Sequence, residues 1–120
     1  MNRKDLTRQY KETPRPMGVF GVRHVASGRC FVGTSRDLPA MLNRQRFQLE
    51  RGVHPNRALQ HDWNESGAGA FAFETLDTLP PPEDPGYDPA ADLAILEALW
   101  LEKLGPWGER GYHAEPGRGK

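Results

Sequence analysis

Glu97 is the carboxylate whose setting asks for an explanation, because Leu93, Leu96, Trp100 and Leu101 around it are spaced for burial on a helix. A carboxylate beside such a face needs a partner. The plain alternative is an ordinary exposed helix glutamate, as its neighbour Glu102 is read. Arginine supplies the opposite charge: Arg44, Arg46 and Arg51 recur within one stretch, with Arg23, Arg36 and Arg57 to either side. These guanidinium groups suit either a solvated face or contact with a phosphate backbone. His54 is an uncoupled histidine in a turn, read either as a cap or surface residue or as a titratable site residue. Cys30 is the single cysteine, so it forms no internal disulfide and cannot anchor a thiolate zinc site; its strand pattern assigns it to the core.

The elements that must position these groups fit one domain. With 120 residues, 37% of them hydrophobic, the chain can close one modest core and has no room for a second. No apolar run approaches the roughly 20 residues of a membrane helix. The polar, basic start, residues 1–11, lacks the apolar stretch of a secretory signal, which points to a cytoplasmic address. Net charge is zero, yet residues 1–57 carry 12 Lys/Arg against 4 Asp/Glu and residues 58–120 carry 4 against 12. Either the basic half faces phosphate, or the two halves attract each other in the fold.

Residues 1–16 read as a leader, with a short polar helix over 3–12 stopped by Pro14 and Pro16. MGVFGVRHV and RCFVGT, joined by the turn signal Ser27-Gly28, predict a β-hairpin. Asp37 is a plausible N-cap for a helix over 38–51 that Gly52 stops. A second helix follows over 56–65, then a strand in AFAFETLDTL. Residues 80–89 hold too much proline for regular structure and predict an exposed acidic loop. The apolar helix over 90–104, ended by Gly105-Pro106, is expected to be the most buried, and the tail 114–120 to be mobile. Trp63, Trp100 and Trp107 are candidates for core or contact roles. Tyr112 reads as structural, and Phe47 faces inward or outward depending on register.

Gly18-Val19-Phe20 in the first strand and Phe31-Val32-Gly33 in the second resemble the paired triplets of the GIY-YIG endonuclease family. FVGTSRDL, the stretch GVHPNRALQHDWNESGAGAFAFETLD, the helix segment LEALWLEKL and Gly111-Tyr112-His113 continue the resemblance in order over residues 18–113. It implies an α+β fold over residues 17–113, a small three-stranded antiparallel sheet flanked by helices. It also implies an endonuclease using one Mg²⁺ or Mn²⁺ held by a helix glutamate, which maps to Glu97, and acting on nucleic acid, DNA more than RNA. A hard divalent ion that keeps several waters suits a single carboxylate.

The departures from the family pattern fall on its chemistry. The tyrosines of the two triplets become Phe20 and Phe31, which keep the ring and lose the hydroxyl. The family's catalytic arginine falls on Met41, which cannot contact phosphate as guanidinium does. His113 replaces a frequent asparagine. Arg44, about one turn beyond Met41, and His54, which matches a family histidine, are the residues from which a rearranged site with Glu97 would be built. General acid–base help contributes roughly 10²–10⁴ in rate, so losing it alone leaves a poor nuclease. The leading expectation is a nucleic-acid-binding protein with phosphodiester cleavage weak or lost, bound through Arg23, Arg36, Arg44, Arg46, Arg51 and Arg57. The alternatives are a protein-interaction domain on the same fold and an active metal-dependent endonuclease. Aromatic rings among arginines also mark single-strand stacking platforms, but the sequence shows too few exposed candidates to define one.

Overall fold

Met17–His24 (β1) is apolar on both of its faces, Phe20 and Val22 on one and Val19 and Gly21 on the other, as a strand covered from both sides must be. It is the central strand. Cys30–Ser35 (β2) and Phe71–Leu79 (β3) pair antiparallel to either side of it, in the order β2-β1-β3. The computed structural model describes residues 15–84 and 86–114, so the leader helix expected over 3–12 and the tail beyond 114 lie outside the described residues.

Two helices cover one face of the sheet. Leu38–Arg51 (α1) starts at Asp37, whose side chain accepts a hydrogen bond from the Ala40 N–H, and ends on Gly52 in the left-handed conformation. Arg57–Ser66 (α2) is capped by the Asn56 side chain, which accepts from the Leu59 N–H. Leu38, Leu49, Leu59 and Trp63 from these helices bury against Phe20, Val22 and Phe71 of the sheet. Ala90–Leu104 (α3) covers the other face, where Leu96, Trp100, Leu101 and Leu104 pack on Val19, Cys30 and Val32. The result is a three-layer α+β domain with two small cores.

A register shift between Val19 and Phe20 in the β1–β3 pairing lets Leu76 join that second core. Asp77 there accepts a hydrogen bond from Trp100 Nε1 at 3.0 Å. Cys30 is buried, as its strand pattern indicated. One expectation is corrected: α3 is not the most buried helix. Of its residues only Leu93 is fully buried, while Ile95 and Leu99 are 59% and 57% exposed. A helix on an outer layer has one neighbour, so apolar residues that run around its circumference cannot all reach the sheet.

Three ion pairs, Arg23–Glu74, Arg29–Asp62 and Arg36–Asp88, join the basic first half of the chain to the acidic second half. The opposed charges therefore meet within the fold. Among the described residues no helix is long and apolar enough to cross a membrane.

A feature unforeseen in the sequence covers part of the β2 edge of the sheet. The segment Gly111–His113 runs parallel along β2: Cys30 bridges Gly111, and the Tyr112 N–H donates to the Cys30 carbonyl at 3.2 Å. An edge strand's unpaired amides are thereby covered.

Candidate functional site

The two glycine-ending triplets are neighbours because β1 and β2 pair, and the register sets Phe20 opposite Gly33. Gly33 is required by that pairing. A Cβ there would lie 2.6 Å from Phe20 Cζ, so the ring of the first triplet occupies the space the second leaves empty. Phe20 in turn meets Phe31, with ring centroids 6.2 Å apart.

Phe31 sits between two histidines. His113 stacks on it at 5.2 Å, nearly parallel, and His54 meets it edge-on at 5.3 Å. The backbone determines the protonation of both imidazoles. Nδ1 of His54 accepts from the Asn56 N–H at 3.0 Å, so in the neutral ring Nε2 carries the proton and donates to Gln45 Oε1 at 2.5 Å. The Gln45 amide then donates to the Met41 sulfur, and α1 thus brings Met41 and Gln45, one turn apart, into the same cluster. His113 Nε2 accepts from the Val32 N–H at 2.8 Å, which assigns its proton to Nδ1. Burial pushes both histidines below the usual range. They are neutral rings held by main-chain donors.

Asn56 ties these parts together: besides capping α2 and donating to His54, its side-chain amide donates to the Tyr112 carbonyl at 2.8 Å. Tyr112 donates its hydroxyl to Asp62 at 2.8 Å, and Arg29 pairs with the same carboxylate oxygen. Burial and that hydrogen bond raise the phenol well above its ordinary value, so Tyr112 stays protonated. It is structural.

Of the residues singled out in the sequence, the fold thus gathers Phe20, Phe31, Met41, His54 and His113 into one cluster. Gln45 and Asn56 belong to it too, and the sequence reading missed both. Gln45 lies four residues beyond Met41, so its place on the Met41 face was available from helical spacing. Its burial was not, since glutamine is usually exposed.

Two other candidates lie elsewhere. Arg44 is exposed on the outer face of α1, beside Ala40, Asn43 and Phe47. Glu97 is half-buried on α3, and burial raises its carboxyl above the usual range. No group of three or more His, Cys, Asp or Glu residues spaced to hold a metal occurs among the described residues. Glu97, the carboxylate the family resemblance would assign to Mg²⁺ or Mn²⁺, would need phosphate oxygens and water to complete the shell.

The arginines divide into three kinds. Arg23 and Arg36 are engaged by Glu74 and Asp88. Arg46 lies over the Phe73 ring at 4.4 Å and Arg51 over Phe47 at 4.6 Å. Arg44 and Arg57 are exposed, with no ion-pair partner among the described residues.

The fold, with its paired triplets on adjacent strands, is that of a GIY-YIG nuclease domain. It is shared with the catalytic domain of the homing endonuclease I-TevI, at 22% identity and a TM-score of 0.66 over 80% of this chain and 95% of that one. A mutant of the same catalytic domain, described as an intron endonuclease, aligns at 21% identity and a TM-score of 0.67 over 82% and 92%. Neither a protein-family model nor a curated protein matches the sequence.

Proposed function

We propose that this chain is a nucleic-acid-binding domain on a nuclease fold, in which phosphodiester cleavage is weak or lost. The observation that carries the reading is the Phe31 cluster. Where the family pattern has hydroxyl-bearing rings and an arginine, this chain has Phe20, Phe31 and Met41, packed against two neutral histidines whose accepting nitrogens are already filled by backbone N–H groups. Neither imidazole keeps a free lone pair with which to take a proton from water. A rearranged site from Glu97, Arg44 and His54 is the alternative, in which the exposed Arg44 and the half-buried Glu97 would act with a buried His54 whose Nδ1 already accepts a backbone N–H. A divalent ion, if held by Glu97 together with phosphate, would supply Lewis-acid stabilisation of the phosphate charge.

Binding is supported by the cations that remain available, Arg44, Arg46, Arg51 and Arg57, all from α1 and the start of α2. Electrostatic attraction of this kind is sequence-independent and falls steeply with salt. DNA is the preferred partner on the likeness to the homing endonuclease fold. The test is a cleavage and binding assay with supercoiled, linear and branched DNA and with RNA, with Mg²⁺ or Mn²⁺, comparing the chain with Glu97→Ala. Binding at low salt without cleavage is the expected result. Cleavage that disappears in Glu97→Ala would overturn the loss of activity. Neither binding nor cleavage would favour the protein-interaction alternative, for which the exposed Ile95 and Leu99 of α3 offer a surface.

A further inference from the structure

We infer that the outer face of α1 is a stacking site for an unpaired nucleobase, with Phe47 as the platform. This inference rests on the nucleic-acid reading above and adds to it the substrate class, single-stranded rather than fully paired nucleic acid. Phe47 is 54% exposed, although a phenylalanine in a helix of this domain would ordinarily face the sheet. It has no place in either core. Its ring lies under the Arg51 guanidinium at 4.6 Å, and it lines an open groove of about 530 Å³ with Ala40, Asn43, Arg44, Arg46 and Glu50.

Helical geometry explains the grouping. Ala40, Asn43, Arg44, Phe47, Glu50 and Arg51 recur at intervals of three and four, so they form one stripe, opposite the buried stripe of Leu38, Gln45 and Leu49. Arg51 follows the ring by one turn, and Ala40, Asn43 and Arg44 precede it. Side chains on a helix lean toward its N-terminus, so the ring inclines toward Asn43 and Arg44.

Each part suits a nucleotide. A base is a flat π-surface that stacks on an aromatic ring whatever its identity, and an arginine on the same ring adds a cation–π contribution. The Asn43 amide offers one acceptor and two donors at the edge of that platform. Arg44 and Arg46 supply positive charge for the flanking phosphates, against the single opposing carboxylate of Glu50. The ring must reach a base face, and in a duplex those faces are covered by their neighbours. A single strand, a flap or a frayed end presents them freely.

The experiment is fluorescence anisotropy at low salt, using a labelled oligo-dT strand and a blunt duplex of equal length with the full chain, Phe47→Ala, Phe47→Trp and Arg44→Ala. Phe47→Ala should weaken single-strand binding by about 5- to 150-fold, the range for one lost base–aromatic stack, and change duplex binding by less than about 2-fold. Phe47→Trp should restore it. Arg44→Ala should weaken both substrates alike, as a phosphate contact does. Equal effects of Phe47→Ala on both substrates, or no effect on either, would overturn the stacking site while leaving the nucleic-acid reading in place. Failure of the unaltered chain to bind either substrate would overturn that reading and the inference with it. Capture of an acidic peptide in place of oligo-dT, abolished by Phe47→Ala, would reassign the face to a protein partner.

Discussion

At the scale of single residues, burial disfavours the charged form of His54 and His113 and holds both rings neutral, and each accepts a backbone N–H. Both therefore titrate below the ordinary histidine value near 6.5. The unfolded chain binds their protons first as pH falls, so the stability they contribute is complete above about pH 7 and declines as pH drops through that ordinary value. Glu97 works in the opposite sense. Its carboxyl is raised above the ordinary 4.5, so the folded chain takes up that proton first and gains stability as pH falls toward that value. Urea midpoints measured from pH 8 to pH 4 should therefore show a loss beginning near neutrality. Glu97→Gln should steepen the decline at its acid end. His54→Ala should cost about 2–4 kcal/mol at pH 7.5, from the cavity and the orphaned partners Gln45 and Asn56, and should flatten the pH dependence. An unchanged pH profile in that variant would remove His54 as a contributor.

At the scale of elements, glycines set how closely strands and rings approach. Gly33→Ala must push Phe20 off its pair, since the new Cβ would meet the ring at 2.6 Å. Overpacking of this kind costs about 1–3 kcal/mol, visible as a lower melting temperature with the fold retained. Gly111 is more constrained, because a Cβ there would lie 2.1 Å from the Pro106 carbonyl oxygen, and main chain cannot swing aside. Gly111→Ala should detach the terminal segment from β2. His113→Ala removes the acceptor for the Val32 N–H and the ring stacked on Phe31, so amide exchange at Val32 should quicken by about tenfold while β1 amides keep their protection. Equal acceleration across the sheet would show the segment to be a general brace rather than a local edge cover. The same scale explains the error over α3. Its composition reads as fully buried, yet an outer-layer helix touches one sheet, and Ile95 and Leu99 are left facing water.

At the scale of the whole molecule, charge has two separable roles. The ion pairs Arg23–Glu74 and Arg29–Asp62 are half-exposed, with Arg23 39% and Glu74 34% accessible, and pairs of that kind contribute about 0–1 kcal/mol. Salt should therefore shift stability little and weaken nucleic-acid binding steeply, and Arg57→Ala should reduce the slope of log affinity against log salt by about one. Parallel melting and binding titrations against salt would separate the two roles, and a steep loss of stability would show the pairs to matter more than their exposure implies. The order of elements, the hairpin around Ser27-Gly28, the cap at Asp37, the stops at Gly52 and Gly105 and the pairing of the two triplets were all legible in the sequence, because each rests on local spacing, turn chemistry or a short motif. So was the replacement of the triplet tyrosines by Phe20 and Phe31. Contacts between residues far apart along the chain were decided only by the tertiary structure. His113 reaches Val32 across 81 positions, Asn56 reaches Tyr112 across 56, and Phe47 lies outside both cores because α1 meets the sheet through Leu38 and Leu49. Spacing along a helix or strand says which residues share a face. Which face meets the core, and which distant backbone N–H a histidine accepts, depends on how the layers dock.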